Sequence, residues 1–163
     1  MLLLPAGKYS FICSHCASVK SLVYLIAFII SYFFYVDKFS DPIADFVERL
    51  YTTLLGRASE EKGKAEWAAD LRNGRTAADA ASGFVLSAEL KNQNLSNGKF
   101  VDRMYLTFLD READEAGKAD CVSILDKGCS YAYILNSFAG SQEFNNLCDS
   151  YGITAGSYES SEA

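Results

Sequence analysis

A few residues in this chain have the types and spacing to carry chemistry. Cys13, Ser14, His15 and Cys16 form a C-x2-C pair with an imidazole inside it, which is how a zinc site begins. A structural zinc needs four ligands, and one such pair with its histidine offers at most three, so no metal is expected there. Asp110, Glu112 and Asp114 imitate the first three ligands of a calcium loop. Glu115 stands where that loop needs glycine, however, and Cys121 where it needs glutamate, so these acids are expected to cap the next helix instead. Glu60 and Glu61 are adjacent, which points them to different sides of a helix and away from joint acid-base work. His15 is the only histidine, so the chain beyond it has no imidazole for a serine or cysteine dyad. No catalytic residue and no cofactor is expected.

The elements that would position such residues come in two copies. An offset of 54 residues carries residues 46–92 onto 100–146 without a gap, and 18 of the 47 pairs are identical, against about three expected by chance. Shared pairs include Phe46 with Phe100, Arg49 with Arg103, Tyr51 with Tyr105 and Leu71 with Leu125. Arg57 and Arg111 also recur, as do Glu89 and Glu143, and each arginine is expected to pair with an acid of its own copy. Gly63 and Gly117 fall inside a helix, where glycine costs about 1 kcal/mol, so close packing of the second helix on the first is the expected compensation.

Punctuation cuts each copy into about four short helices. Asp41 and Pro42 open the first, whose apolar residues recur at helical spacing to Gly56. Ser59 is expected to cap the second, Thr76 with Asp79 the third and Ser87 the fourth. In the second copy Asp114, Ser130 and Ser141 take the comparable places. Gly74, Gly128 and Gly152 supply left-handed stops. No alternating strand pattern is present, so the fold class is all-α. The duplicated domain is expected over 37–153, with a disordered polar tail over 154–163. Cys129 and Cys148 lie at element ends, where a bridge strains a fold least, and they are the expected disulfide pair.

Ahead of the repeat, Leu22 to Val36 is an uncharged apolar run, and residues 1–21 form a short segment before it. The run carries Lys20 before it and Asp37 and Asp41 after it. It reads as a single hydrophobic helix, a signal-anchor that holds residues 22–36 in the membrane and places the repeat outside the cell. The formal charge of -6, with basic residues scattered among acids, excludes nucleic acid as a partner.

The string Y-x3-L-G-R-x5-G-x3-W-x3-L-x2-G followed by G-F-x2-S-x-E resembles the bacterial domain of unknown function numbered four-two-one-four. It is carried here by Tyr51, Leu55, Gly56, Arg57, Gly63, Trp67, Leu71, Gly74, Gly83, Phe84, Ser87 and Glu89. The likeness covers roughly residues 46–153, with a more distant similarity to the phycobilisome linker domain. It implies a helical module of exported and surface proteins without an established activity. Asp110 in place of Gly56, and Cys121 in place of Trp67, set the second copy apart. The expected function is a non-enzymatic cell-surface module for protein or glycan interaction, or for spacing. The alternative is an accessory binding domain of an exported enzyme.

Overall fold

Pro42 presets the first helical turn and Gly56 ends the helix with a left-handed residue at φ 71°, so the first element is bounded by its own chemistry. The computed structural model describes residues 41–158. Within them, helix α1 (Pro42–Arg49) runs on as a π-helical turn (Leu50–Leu55). It is followed by α2 (Glu61–Arg72), α3 (Ala77–Val85) and α4 (Ala88–Asn92). The second copy supplies α5 (Asn97–Leu109), α6 (Glu115–Asp126), α7 (Tyr131–Ala139) and α8 (Gln142–Tyr151). No strand is present among the described residues.

The caps keep the 54-residue register. Thr76 and Ser130 accept from the backbone N–H three residues on, and so do Ser87 and Ser141. Asp114 caps α6 through the Gly117 N–H at 2.8 Å. Its counterpart Glu60 makes no side-chain cap, and Ser59 does not cap α2, because its hydroxyl and N–H are both given to the Glu48 carboxylate. The two copies also differ in the first helix. Thr52 and Thr53 turn their hydroxyls onto the carbonyls of Glu48 and Arg49, and this competition accompanies the π-helical widening. In the second copy Leu106 stands at the place of Thr52, and α5 remains α-helical throughout.

The core is one continuous set of apolar side chains drawn from both copies, among them Phe46, Leu50, Leu54, Phe100, Met104, Phe108, Leu135 and Phe144. Each fully buried side chain of this size contributes about 1.5–3 kcal/mol, enough to hold helices too short to persist alone. The copies meet around an approximate two-fold axis. Thr53 and Thr107 are equivalent residues, and their hydroxyls touch each other at 2.7 Å, as residues on such an axis do. Arg49 crosses from the first copy and donates to the carbonyls of Leu106 and Thr107, the latter at 3.0 Å, and to Asp110 at 2.8 Å. Its equivalent, Arg103, crosses the other way and donates to the carbonyl of Leu54 and, at 2.7 Å, to the side-chain oxygen of Gln93. Each arginine thus closes the C-terminal end of the other copy's first helix.

The chain does not leave the fold at Ile153, so the expected boundary and disordered tail need correction for residues 154–158. Thr154 and Ala155 present their carbonyls to the N–H groups of Ala77 and Ala78 at 2.8 and 2.9 Å, and Ala155 is buried. Small side chains let this strap lie flat on the start of α3, and backbone hydrogen bonding supplies what apolar content does not. Residues 1–21 and the apolar run 22–36 lie outside the described residues.

Arg49→Met keeps the apolar stem and removes the crossing donors. It should destabilise the fold by about 2 kcal/mol, because two helix-end carbonyls lose their partner, and lower the melting temperature by roughly 4–8 °C for a chain of this size. Calorimetry of the variant checks this, and an unchanged transition would show that the crossing contributes nothing.

Candidate functional site

The repeated arginines and glutamates gather into two matched clusters, one in each copy. Arg57 follows the left-handed Gly56, which aims its side chain back over its own copy. Its Nε and one terminal nitrogen donate to the two carboxylate oxygens of Glu89 at 2.5 and 2.9 Å, a forked pair, and its guanidinium lies 5.0 Å above the Tyr51 ring. In the second copy Arg111 grips Glu143 at 3.0 and 3.4 Å and lies 5.1 Å above Tyr105. Tyr51 meets Phe84 edge-on at 4.9 Å, and Tyr105 meets Phe138 in the same manner at 5.1 Å. The pairing expected of Arg57 with Glu89 and of Arg111 with Glu143 is what the structure places there.

Gly63 and Gly117 complete the clusters. A Cβ on Gly63 would lie 2.6 Å from the Tyr51 hydroxyl oxygen, and one on Gly117 would overlap the Tyr105 hydroxyl in the same way. The second helix of each copy therefore approaches the first across a tyrosine, and glycine is what admits the ring's end. Burial pushes both tyrosine hydroxyls above their usual pKa, so both stay protonated near neutrality.

Beyond this shared scaffold the clusters diverge. Trp67 lies 5.0 Å from the Phe84 ring and close against Gly83, and Arg75 covers it at 4.7 Å while pairing with Asp70 and Asp79. At the same positions the second copy carries Cys121, Ser137 and Cys129. A small recess of about 140 Å3 remains beside Tyr51, Arg57, Trp67 and Glu89. Two of the three acids that imitate a calcium loop are spent elsewhere: Asp110 holds Arg49 and Asp114 caps α6. No group of three or more metal-ligating side chains occurs among the described residues.

The expected bridge between Cys129 and Cys148 is not formed, and Cys121, Cys129 and Cys148 are all free. Cys148 is turned wholly into the core from α8, whereas Cys129 is exposed ahead of α7, so position at element ends did not bring the sulfurs together. Burial raises the Cys148 thiol to about 12.

The sequence reading also did not single out a larger cleft, of about 620 Å3, between α4 and the start of α7. Leu86, Leu90, Lys91 and Leu95 line one side of it, and Cys129 and Tyr131 the other. Its walls come from different copies, so no local pattern announces it.

A family model described as a domain of unknown function (DUF4214) matches the chain twice, over residues 28–94 and 81–148. The two matches overlap on 81–94. No curated protein and no solved structure matches the chain.

Glu89 is held below its usual value of 4.5, chiefly by the hydrogen bonds from Arg57. A carboxylate with a depressed folded pKa stabilises the fold above the unfolded value and loses that contribution as pH falls through the folded one. The melting temperature should therefore drop as the solution is acidified below about pH 4.5. Glu89→Gln should melt lower than the parent at pH 7 and show a shallower acid decline; identical pH profiles would remove the pair as a contributor. Alkylation with iodoacetamide at pH 8, followed by peptide mapping, should modify Cys129 in the native protein and Cys148 only after denaturation. Equal native rates at the two thiols would contradict their opposite burial.

Proposed function

The chain belongs to the DUF4214 family, described only as a domain of unknown function, and from that premise we propose that it is a non-catalytic helical module of a bacterial surface that binds a protein or a glycan. One observation supports the binding reading above the others. The charged groups that both copies retain are turned onto each other, in Arg57 with Glu89, Arg111 with Glu143, Lys64 with Glu48 and Lys118 with Asp102, while the cleft of about 620 Å3 beside α7 stays open. Ion pairs repeated at a 54-residue offset serve the scaffold, and a partly apolar concavity between the two copies is where a ligand gains most contact. We read each copy as one unit of four short helices and the pair as the binding-competent module. The net charge of -6 disfavours nucleic acid as the ligand.

Placement outside the cell rests on the apolar run 22–36 as a membrane anchor. No helix among the described residues is long and apolar enough to cross a membrane. The first family match begins at residue 28 and so takes in residues 28–36 of that run. This favours a second reading, in which residues 28–36 belong to the repeated domain. Alkaline carbonate extraction of cell membranes separates the two: retention of the intact chain supports the anchor, and release supports the second reading.

The functional proposal is tested by presenting the purified chain to cell-wall glycans and host glycoproteins beside a panel of hydrolase substrates. Saturable binding to one class without turnover is the expected outcome. Turnover of any substrate would overturn the non-catalytic reading in favour of an enzyme.

A further inference from the structure

The approximate two-fold axis relates the helix starts of one copy to those of the other, and among the described residues one such pair is covered on one side only. At the start of α3, the N–H groups of Ala77 and Ala78 are taken by the carbonyls of Thr154 and Ala155, which arrive on extended chain. Gly156 then lies so close to Thr76 that a Cβ there would overlap its side chain, which shows how tightly the strap is seated. The equivalent groups at the start of α7 are the N–H groups of Tyr131 and Ala132. Neither has an acceptor among the described residues. Both residues line the cleft of about 620 Å3.

The cause of this difference lies in the chain after the fourth helix of each copy. Past α8 it continues as the strap, whereas past α4 it turns at Asn94, with φ 47°, and enters α5 at once. The segment that the two-fold relation would bring to the start of α7 is thus taken up in α5, while Tyr158 also lines the cleft.

We propose that this cleft binds an extended acidic peptide of a partner protein, whose main-chain carbonyls accept hydrogen bonds from the Tyr131 and Ala132 N–H groups. The proposal rests on the binding-module reading and specifies its ligand. An extended polypeptide is the occupant that the counterpart already displays, with the same pair of adjacent N–H donors at the start of a nine-residue helix. The acidic preference comes from charge. Lys91 lines the cleft and makes no ion pair among the described residues, and the open N-terminus of α7 adds the positive end of its dipole. Leu86, Leu90 and Leu95 add room for an apolar side chain beside the acid. Recognition of this kind combines backbone hydrogen bonds for affinity with neighbouring pockets for selectivity.

The test pans phage-displayed random heptapeptides on the full chain and measures the selected peptides by fluorescence polarisation. Sequences pairing Asp or Glu with an apolar residue should be enriched. Ala132→Pro removes one donor in the first helical turn and should weaken the peptide about tenfold, with its melting temperature measured beside that of the parent. Lys91→Glu should weaken it at least as much, and provides an independent arm should the proline variant melt low. Bound peptide should protect Cys129, and not Cys148, from alkylation. No enrichment, or binding indifferent to both substitutions, overturns the proposal. Glycan or glycoprotein binding that persists unchanged in both variants would then leave the module reading standing. If truncation after Tyr158 exposes a previously protected Cys129, the chain fills its own cleft and the partner-peptide proposal fails.

Discussion

Two arginines that reach out of their own copies set the geometry of this domain. Arg49 and Arg103 each leave the middle of a first helix and spend their donors on carbonyls at the end of the other copy's first helix. A helix end has four carbonyls without intrahelical partners, and burying one against a neighbour requires a donor from somewhere. The exchange supplies that donor reciprocally, and so requires the copies to pack with their first helices crossing at Thr53 and Thr107. The shared apolar core and the cleft walls from different copies are consistent with that arrangement. A single copy would leave both the helix end and half the apolar face open to water.

The crossing is not perfectly symmetric, and the asymmetry tracks particular substitutions. Arg49 finds a carboxylate at Asp110, which holds a left-handed conformation at φ 53° that aspartate tolerates better than most residues. Arg103 finds Gly56 at the equivalent place and takes the Gln93 side chain instead, while Gln93 in turn donates to the Leu55 carbonyl at 2.8 Å. The π-helical turn belongs to the same copy as Gly56. The two ends are thus closed by different residues to the same effect, which is how a duplicated unit diverges without losing its partner.

The same divergence separates scaffold from surface. The tyrosine, glycine, arginine and glutamate of each cluster hold the second helix and the last helix to the first, and they recur with the same partners. The Trp67 and Arg75 pair does not recur, and Cys121 and Cys129 take those places. Loss of the Arg75 side chain at the second site leaves an exposed thiol at the mouth of the cleft, where the first copy has a guanidinium stacked on an indole.

The sequence by itself determined the helical class, the duplication, most caps and the arginine–glutamate pairs. All of these depend on residues within one copy, where identity at a fixed offset and helical periodicity speak directly. That Arg49 and Arg103 recur was equally visible, yet nothing local says that their partners lie 58 and 49 residues away in the other copy. The strap at residues 154–156 was read as disorder because its bonds are made by backbone, which composition does not report. The bridge expected between Cys129 and Cys148 failed for a related reason, since being near element ends does not fix which face a side chain takes. Tertiary structure alone decided the two-fold packing, and with it which helix start is covered and which is left open, because both follow from long-range closure and not from the preference of any segment.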